Sequence, residues 1–225
     1  MDISEIILIV LFFVSILILI KARFETFDTQ FKMPPNTYVI EIPNFLPHSK
    51  CDSLARAASS KGFVASEVAG FKESDPAYLD LKSRKSNQTW FVPGDDPVAD
   101  AFRNKTKRFL ESNGLDFNFE YEDIQVAKYD KDGYYHHHFD GDDCDDACPR
   151  NQRIATMIVY LKEPDHGGET DFPELKKRVK PKKGSALFFW VADPTTRKLY
   201  KETLHAGMPV KKGEKIIATQ WIRSK

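Results

Sequence analysis

Hydrophobic patterning divides the chain into three regimes. Residues 6–20 (IILIVLFFVSILILI) are apolar except for Ser15, and Lys21 and Arg23 follow the run. A helix of that length extends roughly 22 Å, short of a hydrocarbon layer of ~27–30 Å. Flanking residues and a snorkelling lysine cover the difference. A cleavable signal peptide has an apolar region of similar length. Here, however, no small-x-small site follows Ile20, and Asp2 and Glu5 stand where a basic cluster would. The pattern predicts an uncleaved N-terminal transmembrane helix, a membrane anchor over residues 1–23. A polar, irregular linker over 24–35 follows, ending in Pro34-Pro35. Basic residues lie mainly after the span, and the positive-inside rule then leaves the remaining chain in the cytosol.

The second regime is helical. After an alternating, β-rich stretch at Thr37–Ile42 (TYVIEI), residues His48–Ser60 read as an amphipathic helix with Leu54 and Ala58 on its inner stripe and Gly62 as its stop. Asp96–Ser112 is the second helix. Asp96-Pro97 makes a good start, Val98, Phe102, Thr106 and Leu110 recur at spacing four, and Gly114 closes it. Beyond Glu120 the period becomes two. Strands are expected at Asp123–Tyr129, Tyr134–Asp140, Arg153–Leu161, Ala186–Trp190, Thr203–Met208 and Lys215–Ile222, joined by links rich in glycine, proline and aspartate. Helices followed by a run of strands predict an α+β, mainly β domain over residues 36–225. Its core is a double-stranded β-helix, or jelly roll, with the helices packed on one face.

Composition narrows the function. The chain is 41% hydrophobic and 29% charged, which is ordinary for a folded domain and excludes a disordered one. Its 33 basic residues balance 33 acidic ones, so nucleic acid is not an expected partner. Cys51, Cys144 and Cys148 are too few for a disulfide framework, although Cys144 and Cys148 can close a small loop in an oxidising compartment or remain reduced thiols.

The chemistry centres on Tyr134-Tyr135-His136-His137-His138-Phe139-Asp140. On a strand, residues two apart share a face, so His138 and Asp140 point the same way. With His205, 65 residues after Asp140, they form a two-histidine, one-carboxylate facial triad, the ligand set of a non-haem Fe(II) oxygenase with three positions left open. His136 shares that face, but three ligands from one strand are geometrically poor, which leaves it behind the ligands or at the surface; His137 faces the other way. The acidic loop Asp140–Asp146 and Asp130-Lys131-Asp132-Gly133 lack the further ligands of an EF-hand. Cys144 and Cys148 with the nearby histidines are an incomplete zinc set. Trp190 and Phe188-Phe189 read as core, and the basic run Lys176–Lys183 as a solvated face. Along the last strand Lys215, Ile217, Thr219 and Trp221 share one face. If that face is interior, the ammonium of Lys215 needs an anion, and the strand offers none. The distal carboxylate of 2-oxoglutarate would supply it.

Tyr129, His138-x-Asp140, Gly167-Gly168-Glu169-Thr170, and His205-Ala206-Gly207 with Lys215 ten residues after the histidine together resemble the 2-oxoglutarate, Fe(II)-dependent prolyl 4-hydroxylases over roughly residues 37–225. The stretches HHHFDGDDCDDACP and FFWVADPTTRKLYKETLHAG look especially like the small chlorovirus members of that family. The resemblance implies a dioxygenase of the procollagen-proline type. It would use O2, 2-oxoglutarate and Fe(II), with ascorbate as reductant, to form 4-hydroxyproline in proline-rich or collagen-like peptides. It implies His138, Asp140 and His205 as iron ligands. Lys215 would bind the co-substrate carboxylate, helped by the hydroxyls of Tyr129 and Thr170. A peptide groove would comprise Arg84, Ser86, Glu122, Tyr135, Arg153 and Trp221, suited to a polyproline II ligand on aromatic faces. It also favours a single-pass protein of the endoplasmic reticulum with a lumenal domain, against the charge-based topology. Two other readings stay open: a superfamily hydroxylase of another residue or a small molecule, and a non-catalytic metal-binding jelly roll.

Overall fold

Two β-sheets face each other, and two helices cover the outer side of the larger one. The computed structural model describes residues 5, 9–15, 37–67, 80, 82–115, 118–144 and 148–225. In chain order the elements are β1 (Val39–Ile42), α1 (His48–Lys61), β2 (Val64–Ala65), β3 (Arg84–Lys85), β4 (Asn87–Phe91), α2 (Pro97–Ser112), β5 (Phe119–Tyr121), β6 (Ile124–Tyr129), β7 (Tyr134–His138), β8 (Arg153–Lys162), β9 (His166–Gly167), β10 (Thr170–Phe172), β11 (Lys177–Val179), β12 (Ala186–Trp190), β13 (His205–Gly207), β14 (Val210–Lys212) and β15 (Lys215–Ser224). The large sheet runs β1-β12-β8-β15-β6-β4-β2, with β5 also paired to β15; the small sheet runs β11-β10-β13-β7-β3; β14 and β9 form a separate ribbon. Every strand pair is antiparallel, as in a jelly roll.

The helices form where the periodicity places them. Asp96 caps α2, its Oδ1 accepting from the N–H groups of Val98 (2.7 Å) and Ala99 (3.0 Å), with Pro97 in the first turn. Gly62 ends α1 at φ 92°, a conformation that disfavours any residue with a Cβ. Cys51, Leu54 and Ala58 of α1, with Val98, Phe102 and Leu110 of α2, pack on Met157, Val159, Phe188, Ile216 and Ala218 of the large sheet in one apolar core. A second core lies between the sheets, where Ile158, Tyr160, Leu187, Phe189 and Ile217 meet Phe172 and Val179. Strand β8 is therefore buried on both faces, and Ile154–Leu161 lacks the apolar–polar alternation of a half-exposed strand.

Several expectations are corrected. The strand expected over Tyr134–Asp140 ends at His138, and Asp140 lies in the following bend. The one expected over Thr203–Met208 contracts to His205–Gly207, because Lys201–Thr203 forms a 3-10 turn. Strand β4 was not foreseen. Its sequence NQTWF has no apolar alternation, yet Gln88 and Thr89 are buried by pairing with β6. Cys144 and Cys148 are joined in a disulfide, which removes them as metal ligands. Of the expected transmembrane anchor, residues 5 and 9–15 are described. They are helical and exposed, and among the described residues no helix is long and apolar enough to cross a membrane. The rest of the 6–20 run and the linker 24–35 lie outside the described residues.

Candidate active site

Antiparallel pairing brings the distant histidine to the HxD motif. His205 of β13 is the direct cross-strand partner of His138 of β7, so the two imidazoles share a face with ring centroids 4.3 Å apart. Asp140 then curls back beneath them. Its Oδ1 lies 3.6 Å from His138 Nε2 and its Oδ2 3.8 Å from His205 Nε2. The three ligand atoms fall within 4.8 Å of one another.

Both rings have their tautomer set. His138 Nδ1 lies 2.7 Å from the His136 carbonyl and His205 Nδ1 lies 3.0 Å from that of Thr203. A carbonyl only accepts, so each Nδ1 carries the proton and each Nε2 lone pair turns toward Asp140, the arrangement seen behind metal-bound histidines. Burial, reinforced by His138, pushes His205 down to about 4, so its imidazole is neutral at pH 7. Burial alone would raise the Asp140 carboxyl. The facing His205 and His138 imidazoles, with Arg153, hold it well below the usual carboxylate range. Two imidazoles with their Nε2 atoms turned toward one carboxylate fit a divalent iron.

A pocket opens beside the triad, lined by Tyr129, Thr170, Lys215, Ile217, Thr219 and Trp221 among others. Lys215 is 2% exposed, and its Nζ donates to the Gly168 carbonyl at 2.9 Å. Among the described residues no carboxylate lies within ion-pair reach of it. Burial pushes its ammonium down to about 8, only partly opposed by Glu169. Such a cation needs an anionic partner that the protein does not provide. Gly168 has φ +74°, and a Cβ there would come within 3.3 Å of Lys215 Cδ, so glycine keeps the carbonyl available and the lysine unhindered. Tyr129 faces Lys215 across β6 and β15, with Nζ 4.8 Å from its ring centre. Thr170 is the cross-strand neighbour of Gly207.

The expected peptide groove divides in two. Tyr135, Arg84 and Trp221 line the pocket. Tyr135 stacks on His138 with ring centroids 3.6 Å apart, and the buried Arg84 guanidinium lies 4.8 Å over the Tyr135 ring. Trp221 Nε1 is buried and has no hydrogen-bond partner. Ser86, Glu122 and Arg153 stand behind this wall. Ser86 accepts from Arg84 Nε at 2.8 Å. Glu122 accepts from Arg153 Nη2 at 2.7 Å and from Arg223 Nε at 2.6 Å. The Arg153 guanidinium covers Trp221 at 4.2 Å.

His136 is exposed, as expected, and serves the site only through its carbonyl; His137 turns toward Asp171 at 3.4 Å. Gln125, Thr156 and Tyr160 were missed. Gln125 accepts from Arg84 Nη2 at 3.0 Å, Thr156 hydrogen-bonds Asp140 at 2.7 Å, and Tyr160 hydrogen-bonds Thr170 at 2.9 Å. Period-two counting from Tyr129 reaches Gln125, so that signal was in the sequence. Thr156 and Tyr160 lie in a strand buried on both faces, where polarity alone does not assign a face.

The pattern of the family described as the 2OG-Fe(II) oxygenase superfamily matches residues 124–223. Prolyl 4-hydroxylase 2 of Arabidopsis thaliana is 32% identical over 224 residues, covering 86% of this chain and 69% of that protein. A protein of Acanthamoeba polyphaga mimivirus named for the same activity is 32% identical over 188 residues, 81% of this chain and 72% of its own. Among solved structures, the viral collagen prolyl hydroxylase of Paramecium Bursaria Chlorella virus-1, in its 2OG complex, superposes with a TM-score of 0.75. It has 53% identity over 84% of this chain and 98% of that one.

Proposed function

The chain belongs to the prolyl 4-hydroxylase family of 2OG-Fe(II) oxygenases, and we propose that His138, Asp140 and His205 hold its iron while Lys215 receives 2-oxoglutarate. The observation that carries this reading is a buried cation without an anion, in the same pocket as a preformed two-histidine, one-carboxylate cluster. With iron bound, 2-oxoglutarate and O2 convert peptidyl proline to 4-hydroxyproline, succinate and CO2, with ascorbate as the accessory reductant. The chain's own residues bind, orient and exclude water. Lys215 neutralises the distal carboxylate of the co-substrate, and the Tyr129 and Thr170 hydroxyls donate to it. Ile158 and Ile217 supply apolar wall to the pocket, and the buried rings of Phe172 and Phe189 back His205.

The substrate is a proline-rich or collagen-like peptide. Tyr135 and Trp221 offer flat faces for a polyproline II chain, and the unpartnered Trp221 Nε1 offers a donor to a peptide carbonyl. Ser86, Glu122 and Arg153 fix the positions of Arg84 and Trp221. We assign the chain to the endoplasmic reticulum, anchored through residues 6–20 with residues 36–225 in the lumen. The Cys144–Cys148 disulfide supports that placement, since disulfides persist in oxidising compartments.

The test is turnover of the full chain with Fe(II), ascorbate and 2-oxoglutarate, with and without a proline-rich peptide. Succinate matched by peptide heavier by one oxygen atom on proline is the expected outcome. Uptake of iron without turnover on any proline peptide would move the activity to another substrate. No iron uptake would overturn the triad.

A further inference from the structure

At the metal site the large sheet reaches across to the carboxylate of a ligand through a side-chain hydrogen bond. Thr156 sits on the inner face of β8 in the large sheet, directly between Phe189 and Trp221 of the flanking strands. Its side chain is fully buried, and its Oγ1 lies 2.7 Å from Asp140 Oδ2, beyond the end of β7 in the small sheet. An ionised carboxylate only accepts, so Thr156 donates. The backbone of the same residue is also held from β8, because Arg153 Nη1 donates to the Asp140 carbonyl at 3.3 Å. Asp140 lies outside any strand, so no ladder holds its backbone; Arg153 holds its carbonyl and Thr156 its carboxylate.

From this geometry we infer that Thr156 is a positioning residue for the iron ligand Asp140. Oδ1 lies 3.6 Å from His138 Nε2 and Oδ2 3.8 Å from His205 Nε2, and because the hydroxyl engages Oδ2 it favours Oδ1 as the oxygen offered to the metal. A carboxylate held by one oxygen takes one coordination position, whereas a freely turning one can take two. The hydroxyl thus preserves the open positions that a bidentate co-substrate and O2 require. No motif marks Thr156. It follows from the contact between a buried threonine and a ligand in the opposite sheet. The inference rests on the iron-site reading above.

The experiment is anaerobic Fe(II) titration of the full-length protein by calorimetry, together with the ratio of 2-oxoglutarate consumed to peptide oxygenated. It compares Thr156→Val, Thr156→Ala and Thr156→Ser with wild type. Loss of a hydrogen bond behind a ligand weakens metal binding by about 10–100-fold. Thr156→Val and Thr156→Ala are expected to show that loss and to consume extra 2-oxoglutarate per oxygenation. Thr156→Ser, which keeps the hydroxyl, is expected to remain near wild type in both. Wild-type iron affinity and coupling in the valine and alanine variants would overturn the inference, as would equal losses in serine and alanine. If valine and alanine fail to fold, Thr156→Ser still tests the inference, because a loss of iron affinity of about tenfold with the hydroxyl present overturns it. Wild type that takes up no iron overturns the triad itself, an outcome distinct from these.

Discussion

The two faces of β15 are built from alternating residues of one strand and serve opposite ends. Outward, Ile216, Ala218 and Ile222 join the helix-covered core with Phe102, Leu54 and Phe188. Inward, Lys215, Thr219 and Trp221 line the pocket, and only Ile217 among the four inner residues is aliphatic. The outer face gains stability from burying apolar surface, about 25 cal/mol per Å². The inner face buries an unpaired ammonium and an unpaired indole N–H, each unfavourable without a partner. A fold that carries such groups relies on the outer core for stability and keeps the inner one available for ligands.

The largest expected effect breaks the outer face. Phe102 is fully buried and meets Phe45 edge-on. Phe102→Ala is expected to destabilise by about 3–5 kcal/mol, read from the urea midpoint, with the 2-oxoglutarate KM of the folded fraction unchanged. A changed KM would show that the two faces are coupled.

Next comes the inner cation. Lys215→Ala should raise the 2-oxoglutarate requirement about 30-fold or more, the loss expected when one partner of a buried charge pair is truncated. Anaerobic iron binding should persist. An unchanged requirement would remove Lys215 from co-substrate binding.

The same lysine makes the comparison pH-dependent. In the free protein its ammonium is pushed down from 10.5 to about 8 by burial, whereas the bound dianion needs the charged form. Affinity for 2-oxoglutarate should therefore fall as pH rises above about 8, by up to about tenfold per unit. Binding just above that pH should take up a proton, visible by calorimetry in two buffers of different ionisation enthalpy. The linkage to folding has the opposite sign to that of a stabilised lysine. Between about 8 and 10.5 the unfolded chain holds the proton and the native one does not, so this group's contribution to stability rises with pH across that window.

The smallest effect concerns Tyr160, whose hydroxyl meets Thr170 Oγ1. Its own ionisation is pushed upward by burial, so it stays protonated. Tyr160→Phe should raise the 2-oxoglutarate KM by about 2–10-fold, the worth of one neutral hydrogen bond, with kcat little changed. A fall in kcat at constant KM would place Tyr160 elsewhere in the mechanism.

The candidate ligands His138, Asp140 and His205 and the candidate anion-binding Lys215 were legible because each is a chemically conspicuous residue type, whereas Tyr129 and Thr170 were legible only through family resemblance. His138-x-Asp140 reads at period two, Lys215 stands out as a lysine among Ile217, Thr219 and Trp221, and Asp96-Pro97 announces α2. The peptide wall was legible only through family resemblance. Ser86 and Glu122 look like groove residues but act behind it, since hydrogen bonding to Arg84 and Arg153 depends on which strand lies next to which.

Residue types and local periods thus specify which side chains can ligate a metal, which lysine stands out on an apolar strand face, and where the two helices and the longer strands lie. Those are local properties, set by residue type and by periods of 3.6 and 2. Tertiary structure alone decided that His205 pairs with His138, that Thr156 reaches Asp140 from the opposite sheet, and that β8 is buried on both sides. Those depend on register between distant strands and on the stacking of one sheet over another, which no local period encodes.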